Sequence, residues 1–387
     1  MRSNACIAAG VVAVVALTVT GCSTSSSTPA ESATTQPAPP GGGPGGGPGG
    51  PGGSQQVTEV DFDTDGVSAG GANTAEVVTA TNAFLSSLDD TQRDTVEYDF
   101  TEDLARQTWS NFPATTVPRE GIVLADLSAA QLEAAYTVLR TAQSPDGAQQ
   151  DASIQASDDY LAGLGGQGAG GFGALTDYYV AVYGTPSETE PFMIQFGGHH
   201  LARNLTYNGD SVSQTPQFVG TEPTSFTAAD GATVEPLAAE SSAMFGIMSA
   251  LTDEQRSAAE ITSGTFDDLL VGPGKDSGVF PDPEGLLVSE LDDAQRQIVM
   301  AAITAYAGDL STGAATPLIA QYQAELDQTR IGWSNNTGPT DESSYIRIDG
   351  PTVWIEFINT RSRSTPDIHF HSVYRDKNND YGSSNPS

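Results

Sequence analysis

Tyr345-Ile346-Arg347-Ile348, Val353-Trp354-Ile355-Glu356-Phe357-Ile358 and Ile368-His369-Phe370-His371-Ser372-Val373-Tyr374 lie close together near the C-terminus. Each is short, rich in β-branched and aromatic residues, and alternates in polarity. That is the signature of a strand. Asp349-Gly350 marks a turn between the first two. Strands this close in sequence join as hairpins, which favours an antiparallel sheet. Further strand-like runs cover residues 178–183, 192–196 and 201–207. Tyr207-Asn208-Gly209-Asp210 reads as a hairpin turn leading into a strand over 211–219, because Asn-Gly supplies the positive φ such turns need. Helical apolar spacing marks 73–88, 128–142, 234–249, 292–307 and 316–327. The sequence therefore predicts an α+β fold: a mainly antiparallel sheet with several flanking helices.

Four segments share one form: Leu88-Asp89-Asp90-Thr91-Gln92, Leu127-Ser128-Ala129-Ala130-Gln131, Leu251-Thr252-Asp253-Glu254-Gln255 and Leu291-Asp292-Asp293-Ala294-Gln295. Each places a capping Ser, Thr or Asp three residues before a Gln, a helix-start capping box. Internal duplication and convergent capping chemistry both account for the recurrence.

All four histidines fall in two tight pairs, Gly197-Gly198-His199-His200 and His369-Phe370-His371. Imidazole is the commonest transition-metal ligand and the usual acid/base near neutral pH. On a strand, His369 and His371 share a face, with Phe370 opposite. Adjacent His199 and His200 can meet one ion only where the two glycines allow a bulge or loop; otherwise one is a ligand and the other structural. Glu356 is a lone carboxylate among apolar neighbours, which is costly unless it is paired or bound to metal. It reads as a ligand or base, or as the partner of Arg347, Arg361 or Arg375. We therefore take His199, His200, His369 and His371 as metal candidates, with Glu356 and Arg375 as catalytic ones. The expected ion is zinc, copper or iron. Arg203 and Asn204 read as anion contacts or as a cross-strand pair, and Trp109 and Trp333 as core or groove aromatics. Gly165 to Gly173 reads as a flexible loop, since no lysine or helix start follows it. No G-x-S-x-G, H-E-x-x-H, GxGxxG or P-loop motif occurs.

The N-terminus carries a delivery signal. Arg2 precedes an apolar run over 7–19, too short for a comfortable membrane span, and Val19-Thr20-Gly21-Cys22 follows. This resembles a bacterial lipobox and implies lipidation at Cys22. We expect a signal peptide over 1–21, a disordered Ser/Thr/Pro/Gly-rich tether over 22–56 and one globular domain over 57–387. The chain is then anchored by lipid to the extracytoplasmic face of the membrane. Its two cysteines are Cys6 and Cys22, so the domain has no disulfide, thiolate site or cysteine nucleophile. With 15 Lys plus Arg against 49 Asp plus Glu, net charge −34, nucleic-acid binding is excluded as a main role. No EF-hand loop accompanies that acidity.

Residues from about 80 to 385 resemble a bacterial family catalogued as domain of unknown function 3500. The likeness rests on Gly198-His199-His200-Leu201 with Asn204, on Thr215-Pro216 with Phe218 and Gly220, and on Ile355-Glu356-Phe357. Its most specific part is His369-Phe370-His371-Ser372-Val373-Tyr374-Arg375-Asp376 with Asn379-Asp380-Tyr381-Gly382. The resemblance implies that both histidine segments belong to one domain, and it brings no activity with it. Three functions remain open on the sequence: a metal-dependent hydrolase or oxidoreductase, a non-catalytic metal-binding lipoprotein, and a metal-free module binding a small ligand or partner.

Overall fold

A computed structural model describes residues 70–102, 106–165, 172–362 and 367–382. The readings of the signal, Cys22 and the tether lie outside these residues, as do 166–171 of the glycine-rich loop. The strands are β1 (Glu97–Tyr98), β2 (Ile122–Val123), β3 (Tyr179–Tyr183), β4 (Phe192–Gly197), β5 (Leu201–Asn208), β6 (Ser211–Ser213) and β7 (Gln217–Thr221). They continue as β8 (Phe226–Thr227), β9 (Thr233–Val234), β10 (Leu286–Leu287), β11 (Arg330–Asn335), β12 (Ser344–Asp349), β13 (Val353–Arg361) and β14 (Ile368–Asp376). The helices are α1 (Thr74–Ser87), α2 (Asp90–Val96), α3 (Ala129–Ala142) and α4 (Pro145–Leu164), then α5 (Ala238–Ala250), α6 (Asp253–Ala258), α7 (Asp293–Ala307) and α8 (Thr312–Glu325). The fold is α+β, as expected. A 12-stranded sheet runs β1-β3-β4-β5-β7-β14-β13-β12-β11-β10, with β2 beside β3 and β6 beside β5. Among the strand pairs of the described residues, β1–β3 alone is parallel.

That order is a palindrome about β7–β14. In each half, two helices, one or two short strands, a 3-10 turn and two more helices precede the hairpin-linked strands. The four capping boxes sort the same way: each helix start is capped by its Asp, Ser or Thr and closed by its Gln. Gln92 and Gln131 then bond to each other, as do Gln255 and Gln295. Paired boxes at matching places in a repeated order are an internal structural duplication, which convergent capping alone would not produce.

One face of the sheet packs on the helices. Phe357 and Phe370 lie there with Phe245, Val299 and Ile303. The other face is covered by loops, where Trp109, Phe218, Val373 and Tyr381 form a second cluster. Central strands are therefore buried on both sides. The strand expected over 211–219 is broken into β6 and β7, because Pro216 has no N–H to donate to a ladder. Helix α4 was not foreseen: its sequence, Pro145-Asp146-Gly147-Ala148-Gln149-Gln150 onward, has no clean apolar stripe. Ser144 caps it and Pro145 opens it. Trp333 lies within β11.

Arg203 of β5 ties the sheet to the helices through Asp151 (2.6 Å) and Asp309 (2.8 Å). Glu240 at the start of α5 joins this cluster through Gln150 and feels Asp309. Burial, reinforced by Asp309, pushes its carboxyl up to about 7. A folded-state pKa raised above the unfolded one gives stability that is present below about 4.5 and lost as pH rises through about 7. Glu240→Gln is therefore expected to stabilise the protein at pH about 8, by on the order of 2 kcal/mol, and to change little at pH about 5. Urea unfolding at the two pH values checks this.

Candidate metal centre

The connection between β4 and β5 is Gly198-His199-His200, closed by Gly198 N–H donating to the Leu201 carbonyl (2.8 Å). A Cβ on Gly198 would lie 2.5 Å from the Tyr178 ring, so only glycine lets the turn press against that tyrosine. Arg119 holds the turn from behind, donating to the Gly198 carbonyl (2.9 Å). Neither histidine sits on a regular strand, so the two need not point to opposite faces. His199 is sandwiched between Phe172 (4.5 Å) and His200 (3.9 Å). His200 is fully buried, and its Nδ1–H donates to Asp158 Oδ1 of α4 (2.5 Å). Tyr178 O–H donates to the other Asp158 oxygen (2.7 Å). With Nδ1 so committed, the Nε2 lone pair of His200 is buried and has no partner.

His369 and His371 project from β14 on the loop-covered face, with their Nε2 atoms 3.1 Å apart. His371 Nδ1 meets Asp268 Oδ1 (3.1 Å), and the Thr360 hydroxyl lies 2.7 Å from His369 Nε2. His200 stands 6.0 Å, ring to ring, from each of them. Gly220 of β7, cross-strand from His371, makes the space: a Cβ there would lie 2.9 Å from the His200 ring and 3.3 Å from that of His371. One donor atom from each of His200, His369 and His371 falls within 4.8 Å of the others, and all three residues are buried. Two imidazole Nε2 atoms at hydrogen-bond distance, facing an unpartnered third, require a proton or a cation between them. Carboxylates on the Nδ1 side of His200 and His371 are the partners that fix a metal-binding tautomer. Asp158, His199 and His200 form a second overlapping group, but the two rings stack 3.9 Å apart with planes 25° from parallel, which sets their in-plane lone pairs in separate, near-parallel planes.

Burial, with the neighbouring His200, His371 and His369, holds His199 well below the usual histidine range. It stays neutral, as a stacked, desolvated ring must. Asp177, behind the turn, is pushed up by burial to about 7 and accepts the Ala114 N–H.

Glu356 and Arg375 lie on the histidine face but are occupied elsewhere. Glu356 accepts from Leu270 N (2.6 Å), Val271 N (2.8 Å), Trp354 Nε1 (2.9 Å) and Tyr345 O–H (2.9 Å). Burial pushes its pKa up and these donors pull it back; an acceptor-only carboxylate is the form four donors fit. Arg375 donates to the carbonyls of Val271 (2.8 Å) and Gly272 (3.1 Å), and pairs with Asp276 and Asp380. The two thus clamp the segment that begins at Asp268, the partner of His371. Arg203 faces the helices, and Asn204 bonds Gln195 and the Pro216 carbonyl. Trp109 is buried and donates to Tyr381 O–H (2.8 Å). Asp158, Asp268 and Thr360 were not singled out in the sequence, and Gly220 entered only with the family resemblance. Nothing marks two aspartates among so many acidic residues until the fold brings them to imidazoles.

The second half supplies a control. Gly350 N–H donates to Val353 O (2.8 Å), as Gly198 does to Leu201. There Thr352 stands where the first half has His200, and its hydroxyl donates to Glu325 (2.6 Å) as His200 does to Asp158. The turn imidazole belongs to one half alone, and β14 of the other half brings the two remaining ligands to it.

A family profile described as a protein of unknown function, DUF3500, matches residues 70–383. The chain belongs to that family. Searches of curated proteins and of solved structures gave no match.

Glu356→Gln is expected to lower the unfolding free energy by about 2–4 kcal/mol, since an amide sets an N–H against donors that need an acceptor. Urea denaturation measures it. A loss below about 0.5 kcal/mol would remove the clamp role.

Proposed function

We propose that this DUF3500 protein is a lipid-anchored, extracytoplasmic metalloprotein in which Nε2 of His200, His369 and His371 hold a divalent transition metal, zinc first. The reaction class we favour is hydrolysis by a metal-activated water. The observation that carries the reading is the buried, unpartnered Nε2 of His200, facing two other imidazoles whose nitrogens are 3.1 Å apart. Asp158 and Asp268 orient two of the ligands and raise their basicity. His199 is turned into its stack. Three imidazoles leave room for water, the pattern of catalytic rather than structural zinc. A bound ion would lower the pKa of that water and polarise a substrate carbonyl or phosphoryl oxygen. The anchor rests on Val19-Thr20-Gly21-Cys22 and its apolar run.

A second reading, metal holding without turnover, is favoured by the burial of all three ligands. Cobalt substitution separates the two. Azide perturbs the visible spectrum where a coordination position is open, and leaves it unchanged in a closed shell. Elemental analysis of the purified protein tests both. We expect about one equivalent of metal per chain in wild type, and less than about a tenth of that in His369→Ala/His371→Ala with unchanged circular dichroism. No metal in wild type after reconstitution with zinc, copper or iron would leave the metal-free binding module.

A further inference from the structure

We propose that Glu222, not Glu356, is the carboxylate of this centre and supplies an oxygen donor to the same ion. The inference rests on the three-imidazole reading above. The register places Glu222 there. Gly220 pairs with His371 and Thr221 with Phe370 across β7–β14, and Glu222, the first residue past the end of β7, continues toward the row of His369. Side chains alternate along a strand. Thr221 points to the helices, where its hydroxyl meets Ser157 of α4 (3.0 Å). Gly220 therefore faces the histidines, and the contact of the Glu222 carboxylate with Ser362 agrees with the same side for Glu222.

The partners of Glu222 agree. Its Oε1 accepts from the Ser362 hydroxyl. Ser362 lies two residues beyond Thr360, on the same face, and Thr360 pairs with His369 and bonds its ring. Glu222 thus reaches over β14 beside His369. Its backbone is fixed as well, since Ser157 Oγ donates to its carbonyl (3.0 Å).

Glu222 is only 4% exposed. Among the described residues, the one donor to its carboxylate is the neutral Ser362 hydroxyl. A carboxylate with one neutral donor keeps acceptor positions for a cation. Glu356, fully buried, has four donors and needs no ion. The Glu222 carboxylate is not among the donor atoms that converge in this structure; a turn of its side chain from Ser362 toward His369 would bring an oxygen to a cation held there, which would offset its charge. Three imidazoles and a carboxylate suit a five- or six-coordinate ion that keeps positions for water or substrate.

The test uses cobalt(II) as probe on the full-length protein, with binding followed by the visible absorption bands. We expect Glu222→Gln to weaken cobalt binding at least about tenfold and to change the band pattern. Ser362→Ala, which only frees the carboxylate, should bind as wild type does. Should Glu222→Gln fail to fold, Glu222→Asp keeps the charge on a shorter arm, and its spectrum is expected to depart from wild type. A folded Glu222→Gln with wild-type affinity and bands would overturn the assignment while leaving the three-imidazole centre standing. Wild-type protein that takes up no cobalt would overturn the centre and this inference together.

Discussion

The antiparallel pairing of β7 with β14 is the contact on which the rest depends. It joins the two halves into one sheet and sets Gly220 opposite His371. The first effect buries both strands, because helices cover one face and loops the other. The second makes a space that any larger residue at Gly220 would fill with a methyl group between two imidazoles. His200 comes into that space because Gly220 N–H donates to its carbonyl (2.7 Å). Sheet assembly and site assembly are thus one event, made by backbone pairing.

The duplication explains why the turn imidazole sits on one side only. Both halves turn after their second hairpin strand with the same glycine-led hydrogen bond, and both link that turn to an acidic residue on a helix. In one half the link is an imidazole with a free second nitrogen. In the other it is a hydroxyl, whose single oxygen is spent on Glu325 and Gln321. A hydroxyl so used has little left to give a ligand. The difference between a structural tie and a candidate metal centre is one side chain at one turn, together with the two histidines that β14 adds.

The strands of the C-terminal region were legible because alternation and turn residues act locally, as were the long amphipathic helices α1, α3 and α7. Helix α4 was not, because it is held by its cap and by buried polar contacts such as Asp151 with Arg203 and Asp158 with His200, which leave no periodic stripe. The histidine doublets were conspicuous, since these four are all the chain has. Their acidic partners were not, because a partner across long sequence separation leaves no mark on spacing. Glu356 drew attention for a sound reason, the cost of burying a carboxylate. The fold meets that cost with four donors from Leu270, Val271, Trp354 and Tyr345, and no local reading could have counted them.

The central claim is that Nε2 of His200, His369 and His371 share one metal ion. Crystallographic diffraction from zinc-loaded protein, collected on both sides of the zinc absorption edge, tests it most directly. The account requires an anomalous peak about 2.0–2.1 Å from each of the three Nε2 atoms. Ordered protein with no peak there, or with zinc bound only elsewhere, would contradict it, and the 3.1 Å contact between His369 and His371 would then be a shared proton.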